Sequence, residues 1–360
     1  MWRKISQFLG VAIAVIAIIA YIGVASFYAN KHSEAQLVKE LVVSLDNASA
    51  TRKFASADYF TAQLKKAGVS LEGKLIESVD ALKLSQMIEE NGFVEKADVY
   101  VTYAGNLHIN VMQQTPVMRL MCGGFNSYIT ADCQSFRSPQ GAACYTPIVT
   151  GKYRPLMPTS YEGSVEEYYD GLIEKQNEKI ADVRSQILSL DQERSKCLGR
   201  RRRLKEERKK KLFESSQSHE YRLRGVEADI KECDEQLPVI AYRKKQLEKR
   251  QQLIELRKKK LQKSYDDFAN LINFVSQVDE DSFWSAEVVQ FVADTTLLGE
   301  VSLRLIPRSG DFTILFGTLE DGKAKLKKLQ KFYEEGLARV GWNEYKTIDI
   351  RYDKQVVCTK

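Results

Sequence analysis

The stretch Gly317-Thr318-Leu319-Glu320-Asp321-Gly322-Lys323-Ala324 comes nearest to chemistry. It almost spells a P-loop, and it lies between the strand-like run Phe312 to Phe316 and a helical pattern, where a P-loop belongs. A P-loop cradles phosphates on backbone N–H groups, reaches them with a lysine and holds magnesium through a hydroxyl. Here the last position is Ala324, which offers magnesium no oxygen, and Glu320 and Asp321 would point negative charge at the phosphates. The stretch therefore reads first as a strand-to-helix loop; nucleotide hydrolysis is the enzymatic alternative.

The other reactive residue types are scattered. His32, His108 and His219 fall in different segments and share no metal-ligand spacing with Cys or Glu. No G-x-S-x-G nucleophile elbow occurs. The six cysteines are Cys122, Cys133, Cys144, Cys197, Cys233 and Cys358, and no two make a C-x-x-C. An even count outside the cytoplasm permits disulfides. Cys122 and Cys133 flank a hairpin-like stretch and could pair; buried thiols are the other reading. No catalytic residue, metal ligand, cofactor or small-molecule substrate is expected.

Location is more legible. Residues 8–28 form an uncharged apolar run of 21 residues, and about 20 are needed to cross a bilayer core. Residues 1–7 carry Arg3 and Lys4, which favour a cytoplasmic N-terminus. The run thus reads as a single-pass anchor of a bacterial inner membrane, with the bulk of the chain in the periplasm. A cleaved signal peptide ending near Val24-Ala25-Ser26 is the alternative, although its apolar core is usually shorter.

Net charge is +6, but Tyr161 to Asp267 alone hold 27 of 54 Lys+Arg and 22 of 48 Asp+Glu. Nearly all the basicity belongs to one segment rather than to the whole surface. Nucleic acid is not expected across a membrane. The runs Arg200 to Arg203 and Lys258 to Lys260 therefore read as solvated helix faces, with anionic headgroups or an acidic partner as the alternative.

The elements follow in order. Leu37 to Leu45 is strand-like; Asp58 to Ala67 and Ala81 to Glu90 are amphipathic helices, the second capped by Ser78 or Asp80. Lys96 to Tyr103 and Asn106 to Gln113 alternate as strands around the turn Ala104-Gly105. Residues 37–115 thus form a small α+β unit with two helices on a three-stranded sheet. Residues 116–160 show a broken antiparallel β pattern that stops unfinished at Val149-Thr150-Gly151. It resumes over residues 276–360 with runs at Glu287 to Ala293, Val301 to Ile306 and Phe312 to Phe316, a helix from Gly322 to Val340, and a last strand from Thr347 to Val357.

Residues 161–275 interrupt the β pattern. Apolar positions recur at steps of three and four from Ile173 through Ile180, Ile187 and Leu204, and again from Leu223 through Ile230, Leu247 and Ile254. That is a coiled-coil seam. A polar break at Ser215 to His219 folds it into an antiparallel hairpin, with Ile180 opposite Ile254 and Ile187 opposite Leu247. Arms of about 45 residues would reach roughly 65 Å. Pro238 is expected to kink the second arm.

This order of modules resembles the FtsQ/DivIB family of bacterial division proteins, in the form found in Bacteroidetes. The residues that carry the likeness are Ile76 to Gln114, with ALKLSQMIEENGFV and KADVYVTYAGNLHINVMQQ, which resembles a POTRA domain. To these add Thr115-Pro116-Val117, Arg119, Tyr128 to Asp132, Pro147 to Gly151, and the set FTILFG, KLKKLQKFY and IDIRYDKQVVC. The helical insertion departs from the family pattern.

The resemblance implies a non-enzymatic periplasmic scaffold at the division septum. It would recruit FtsB/DivIC- and FtsL-like partners and regulate septal peptidoglycan synthesis. In the last strand Ile348, Ile350 and Tyr352 share one face. At a sheet edge such a strand can accept a partner strand. The contact is expected at Ile350, Arg351, Tyr352, Lys354, Gln355 and Val356; the alternative is a strand that only completes the core. The rival function is an envelope tether unrelated to division, in which the helical arm does the work.

Overall fold

A computed structural model of the chain describes residues 16–27, 37–46, 54–69, 71–139, 142–297, 299–342 and 344–360. Residues 16–27 of the apolar run are helical with every side chain exposed. Residues 8–15 and 28 of that run, the expected tail at 1–7 and the joint at 30–36 lie outside the described residues. Among the described residues, no helix is long and apolar enough to cross a membrane.

The first unit is built as expected. Strand β1 (Glu40–Leu45) is followed by helices α1 (Ala57–Lys66) and α2 (Ala81–Glu89), then β2 (Val94–Val101) and β3 (Asn106–Gln113). Asp80 caps α2, accepting from the Lys83 N–H at 3.0 Å. The sheet order is β1-β3-β2, with β1 parallel to β3. Alternation along β3 buries Leu107, Ile109 and Val111 completely, worth roughly 1.5–3 kcal/mol each. Leu37 pairs with Leu75 instead of continuing β1, because the Val38 N–H and C=O are bound by Lys74 and Gly73.

The second unit is a ten-stranded sheet, and it is mixed rather than antiparallel. Its strands are β4 (Pro116–Leu120), β5 (Ser127–Thr130), β6 (Gln134–Phe136), β7 (Ile148–Gly151), β8 (Gly163–Ser164), β9 (Val288–Thr295), β10 (Val301–Pro307), β11 (Thr313–Thr318), β12 (Thr347–Asp349) and β13 (Val357–Thr359). They lie in the order β13-β12-β11-β10-β9-β7-β4-β5-β6-β8. The pairs β4·β7, β7·β9 and β11·β12 are parallel. Parallel neighbours need a long crossover, and the helical arm is the crossover from β7 to β9. The unfinished pattern at Val149 to Gly151 is completed by Phe291 to Ala293.

The arm consists of α3 (Val165–Glu207) and α4 (Ser216–Glu280). The turn precedes the expected break at Ser215 to His219. Ser215 is the N-cap of α4, accepting from the Ser218 N–H at 3.2 Å, so the polar run starts the helix. Ile180, Val183 and Ile254 form one cluster with Ile187 and Leu247. Seam charges are answered across the hairpin, Lys244 by Asp191 and Arg201 by Asp234, both at 2.6 Å. Helix α4 passes through Pro238 without interruption.

The root of α4 differs from the sequence reading. Phe268, Leu271, Ile272, Phe274, Val275 and Val278 all belong to the core of the large sheet. An expected boundary at 275/276 thus falls inside a core helix. Cys122 and Cys133 do not pair; each is a free thiol buried in that core. Burial pushes the Cys122 thiol up to about 11.

Candidate partner-binding edge

The C-terminal end of the large sheet holds the residues expected to bind a partner. Helix α5 (Trp284–Glu287) leads into β9, and helix α6 (Gly322–Phe332) connects β11 to β12. Past Phe332 the helix widens into a π turn, Tyr333–Leu337, and ends with Ala338–Val340. Leu326, Leu329, Tyr333 and Leu337 bury one face of it. Ile348 and Ile350 are fully buried beneath, and the Ile350 N–H donates to the Leu315 carbonyl at 3.1 Å.

The expected single strand from Thr347 to Val357 is two short strands joined by a bend. Asp349 ends the first. Its carboxylate accepts the Arg351 backbone N–H at 3.1 Å, two residues on, so the side chain takes the donor that a ladder would use. It also binds the Arg351 guanidinium at 2.9 and 2.5 Å. That guanidinium holds the Asp349 carboxyl below its ordinary range despite burial, which acts the other way. The Arg351 stem crosses Gly317, where a Cβ would stand 2.8 Å from the Arg351 Cγ. Lys328 of α6 donates to the Ile350 carbonyl at 2.8 Å and also to the Tyr352 carbonyl.

The six expected contact residues are therefore divided. Ile350 is core and not available to a partner. Arg351 is engaged with Asp349. Tyr352 is 48% exposed, and Lys354 and Gln355 are exposed on the bend. Val356 is half-buried against the core. The sheet edge is β13, which pairs with β12 on one side and, among the described residues, with no strand on the other. Val357 is 39% exposed there. Sequence reasoning missed Val357 to Thr359 as the edge; the signal was the Asp349/Arg351 pair, whose i, i+2 spacing marks a side-chain turn.

The near-P-loop takes a structural role. Asp321 adopts φ +52 at the start of α6, and a Cβ on Gly322 would meet the Phe274 ring at 3.1 Å, so that glycine serves helix packing. Lys325 donates to the Thr318 carbonyl at 2.7 Å, and burial lowers its pKa. The loop borders a cleft of about 530 Å³. There Glu320 stands beside Lys323, and Lys263 is paired with Glu300 at 2.8 Å. The walls carry both signs of charge and do not form an anion cradle.

Comparison with protein-family models gives two matches. The model described as FtsQ/DivIB, C-terminal related, matches residues 237–359, and the POTRA-like domain model matches residues 39–112. The first starts within α4, in keeping with the root of that helix being core. No curated protein matches the chain. Domains of these two kinds generally serve as non-enzymatic scaffolds, and FtsQ/DivIB-related domains suggest a part in cell division. With a POTRA-like domain at residues 39–112 ahead of an FtsQ/DivIB C-terminal related domain at residues 237–359, the chain is similar over those residues to FtsQ/DivIB proteins.

Proposed function

We propose that the protein is a membrane-anchored, non-enzymatic scaffold of the division machinery, recruiting FtsB/DivIC- and FtsL-like partners and so regulating septal peptidoglycan synthesis. The observation that carries this reading is the open edge β13, at the end of the sheet in the region matched by the FtsQ/DivIB C-terminal related model. An edge strand offers a row of backbone donors and acceptors to an incoming strand. Exposed Tyr352, Lys354 and Gln355 flank that edge and supply side-chain selectivity. The uncharged run 8–28 supports the single-pass anchor, with the N-terminus cytoplasmic and the bulk periplasmic.

The test is co-purification of the FtsB/DivIC- and FtsL-like proteins with the full chain and with Tyr352→Ala and Val356→Pro. The expected result is a loss of at least about tenfold in recovered partner for Val356→Pro and a smaller loss for Tyr352→Ala, with unfolding temperatures near the parent. Full recovery with both variants, folded, would contradict strand addition at this edge.

A further inference from the structure

The far end of the helical arm is unlike its shaft. The 43 residues of α3 carry it about 65 Å from the sheet. At the turn, Leu212 and Phe213 are 87% and 100% exposed, and Tyr221 stands 84% exposed at the start of α4. Between Arg200 and Phe213 there are nine Lys and Arg against two Glu. Three of those cations are paired across the arm: Arg200 with Asp229 and Glu232, Arg201 with Asp234, and Arg208 with Glu227. Arg202, Arg203, Lys205, Lys209, Lys210 and Lys211 have no ion-pair partner among the described residues and are exposed.

This turn is built rather than loose. The Arg222 guanidinium grips the Glu214 carboxylate through two bonds of 2.8 Å. It also donates to the Lys209 carbonyl at 3.1 Å and to the Glu207 carbonyl. The Glu207 carbonyl is one that the end of α3 leaves without a helical donor, and Lys209 lies just past that end. Glu214 in turn accepts the Lys211 backbone N–H at 3.0 Å. Within that clamp Phe213 sits at φ +66, a region where a bulky side chain is strained and glycine is the easy choice. A turn whose only task is to reverse the chain gains nothing from an exposed phenyl ring at a strained position.

We infer that the tip is a membrane-surface contact: Leu212 and Phe213 enter the interface of an anionic bilayer while Lys209, Lys210 and Lys211 bind its headgroups. The apolar pair is convex and sits at the end of a rod. That shape suits a fluid interface, which needs no pocket to receive it. An aromatic and a leucine beside uncompensated lysines are the residues that hold peripheral segments at acidic lipid. The inference is independent of the division reading, since it rests on the arm alone.

The experiment uses the full chain in phosphatidylcholine nanodiscs, which occupy the apolar N-terminal run. The nanodiscs are sedimented with sucrose-loaded vesicles of phosphatidylcholine alone or with about one-third phosphatidylglycerol. The chain is expected to pellet only with the anionic vesicles. Each of Lys209→Gln, Lys210→Gln and Lys211→Gln should weaken capture roughly fivefold at low salt. The exposed double variant Leu212→Ser/Phe213→Ser should weaken it by at least about tenfold. Equal capture by both vesicle types would overturn the inference, as would unchanged capture of the double variant. Lysine-dependent binding to polyglutamate without vesicle capture would overturn it in favour of an acidic protein partner, and no capture of any kind would overturn it outright.

Discussion

Arg351 closes a two-point pair on Asp349, at 2.9 and 2.5 Å, and its stem lies across Gly317 of the neighbouring strand. This pair stops β12, turns the chain outward at Tyr352 and lets β13 return as the sheet edge. Without it, the alternation of Ile348, Ile350 and Tyr352 would run on as one strand. Formation of the candidate binding edge thus depends on an aspartate that takes a backbone donor out of the ladder.

The pair gives a pH dependence with a definite sign. Asp349 has its folded pKa below its unfolded value, so its contribution is present above about pH 4 and fades as pH falls through the folded pKa. Asp349→Asn should lower stability by roughly 0.5–1 kcal/mol at neutral pH, since Arg351 is half exposed and screened. The difference from the parent should vanish in acid. Thermal unfolding of both proteins across pH checks this; a gap that persists unchanged into acid would contradict it.

Two glycines are required by close approach. At Gly151, φ is +111 and a Cβ would stand 2.2 Å from the Ala293 carbonyl oxygen, at the parallel seam of β7 and β9. Gly151→Ala should cost more than about 3 kcal/mol. Gly317→Ala, against the flexible Arg351 stem at φ +78, should cost about 1–3 kcal/mol. Denaturant unfolding of the two variants ranks them, and the reverse order would contradict the account.

Lys323 should be dispensable. It borders the cleft beside Glu320, in the first turn of α6. Lys323→Ala is expected to leave stability within about 0.5 kcal/mol of the parent. Titration of a magnesium nucleotide should give no saturable signal with either protein. Saturable binding abolished by the variant would restore the nucleotide reading.

The shaft of the arm should be separable from the sheet, whereas its root is not. Tyr169 and Phe268 are fully buried in the core, and the Tyr169 hydroxyl meets Ser264 at 3.1 Å. Replacing residues 181–253 by a short Gly/Ser link between Ile180 and Ile254, which pack together, should leave the unfolding temperature within about 3 °C. Cutting as far as Ser164 and Phe268 should abolish folding. Thermal scans of the two deletions distinguish these outcomes, and a tether would lose its function with either.

Legibility followed the range of the interaction. Alternation marked β3 to the residue, Asn106–Gln113, because one buried face is a local property. The seam of the arm was legible for the same reason. The partners of β7 were not: four residues ending in Val149-Thr150-Gly151 carry no mark of pairing with Phe291 to Ala293 across the whole arm. The parallel pairs, and hence the mixed sheet, were hidden with them. At the candidate edge Ile348, Ile350 and Tyr352 were placed on one face and Ile350 was expected to meet a partner, but a side-chain turn at Asp349 outweighed strand periodicity and left Ile350 in the core. The hairpin turn was misplaced because Ser215 to His219 is polar in composition yet starts a helix through its serine cap.

The central claim is a scaffold at the division site. Its most direct test is the position of a fluorescent fusion to the N-terminus of the full chain in dividing cells. The account predicts a band at the constricting midcell, displaced when the edge is altered by Val356→Pro. A uniform envelope signal throughout the cell cycle would contradict it and favour a tether that works through the helical arm.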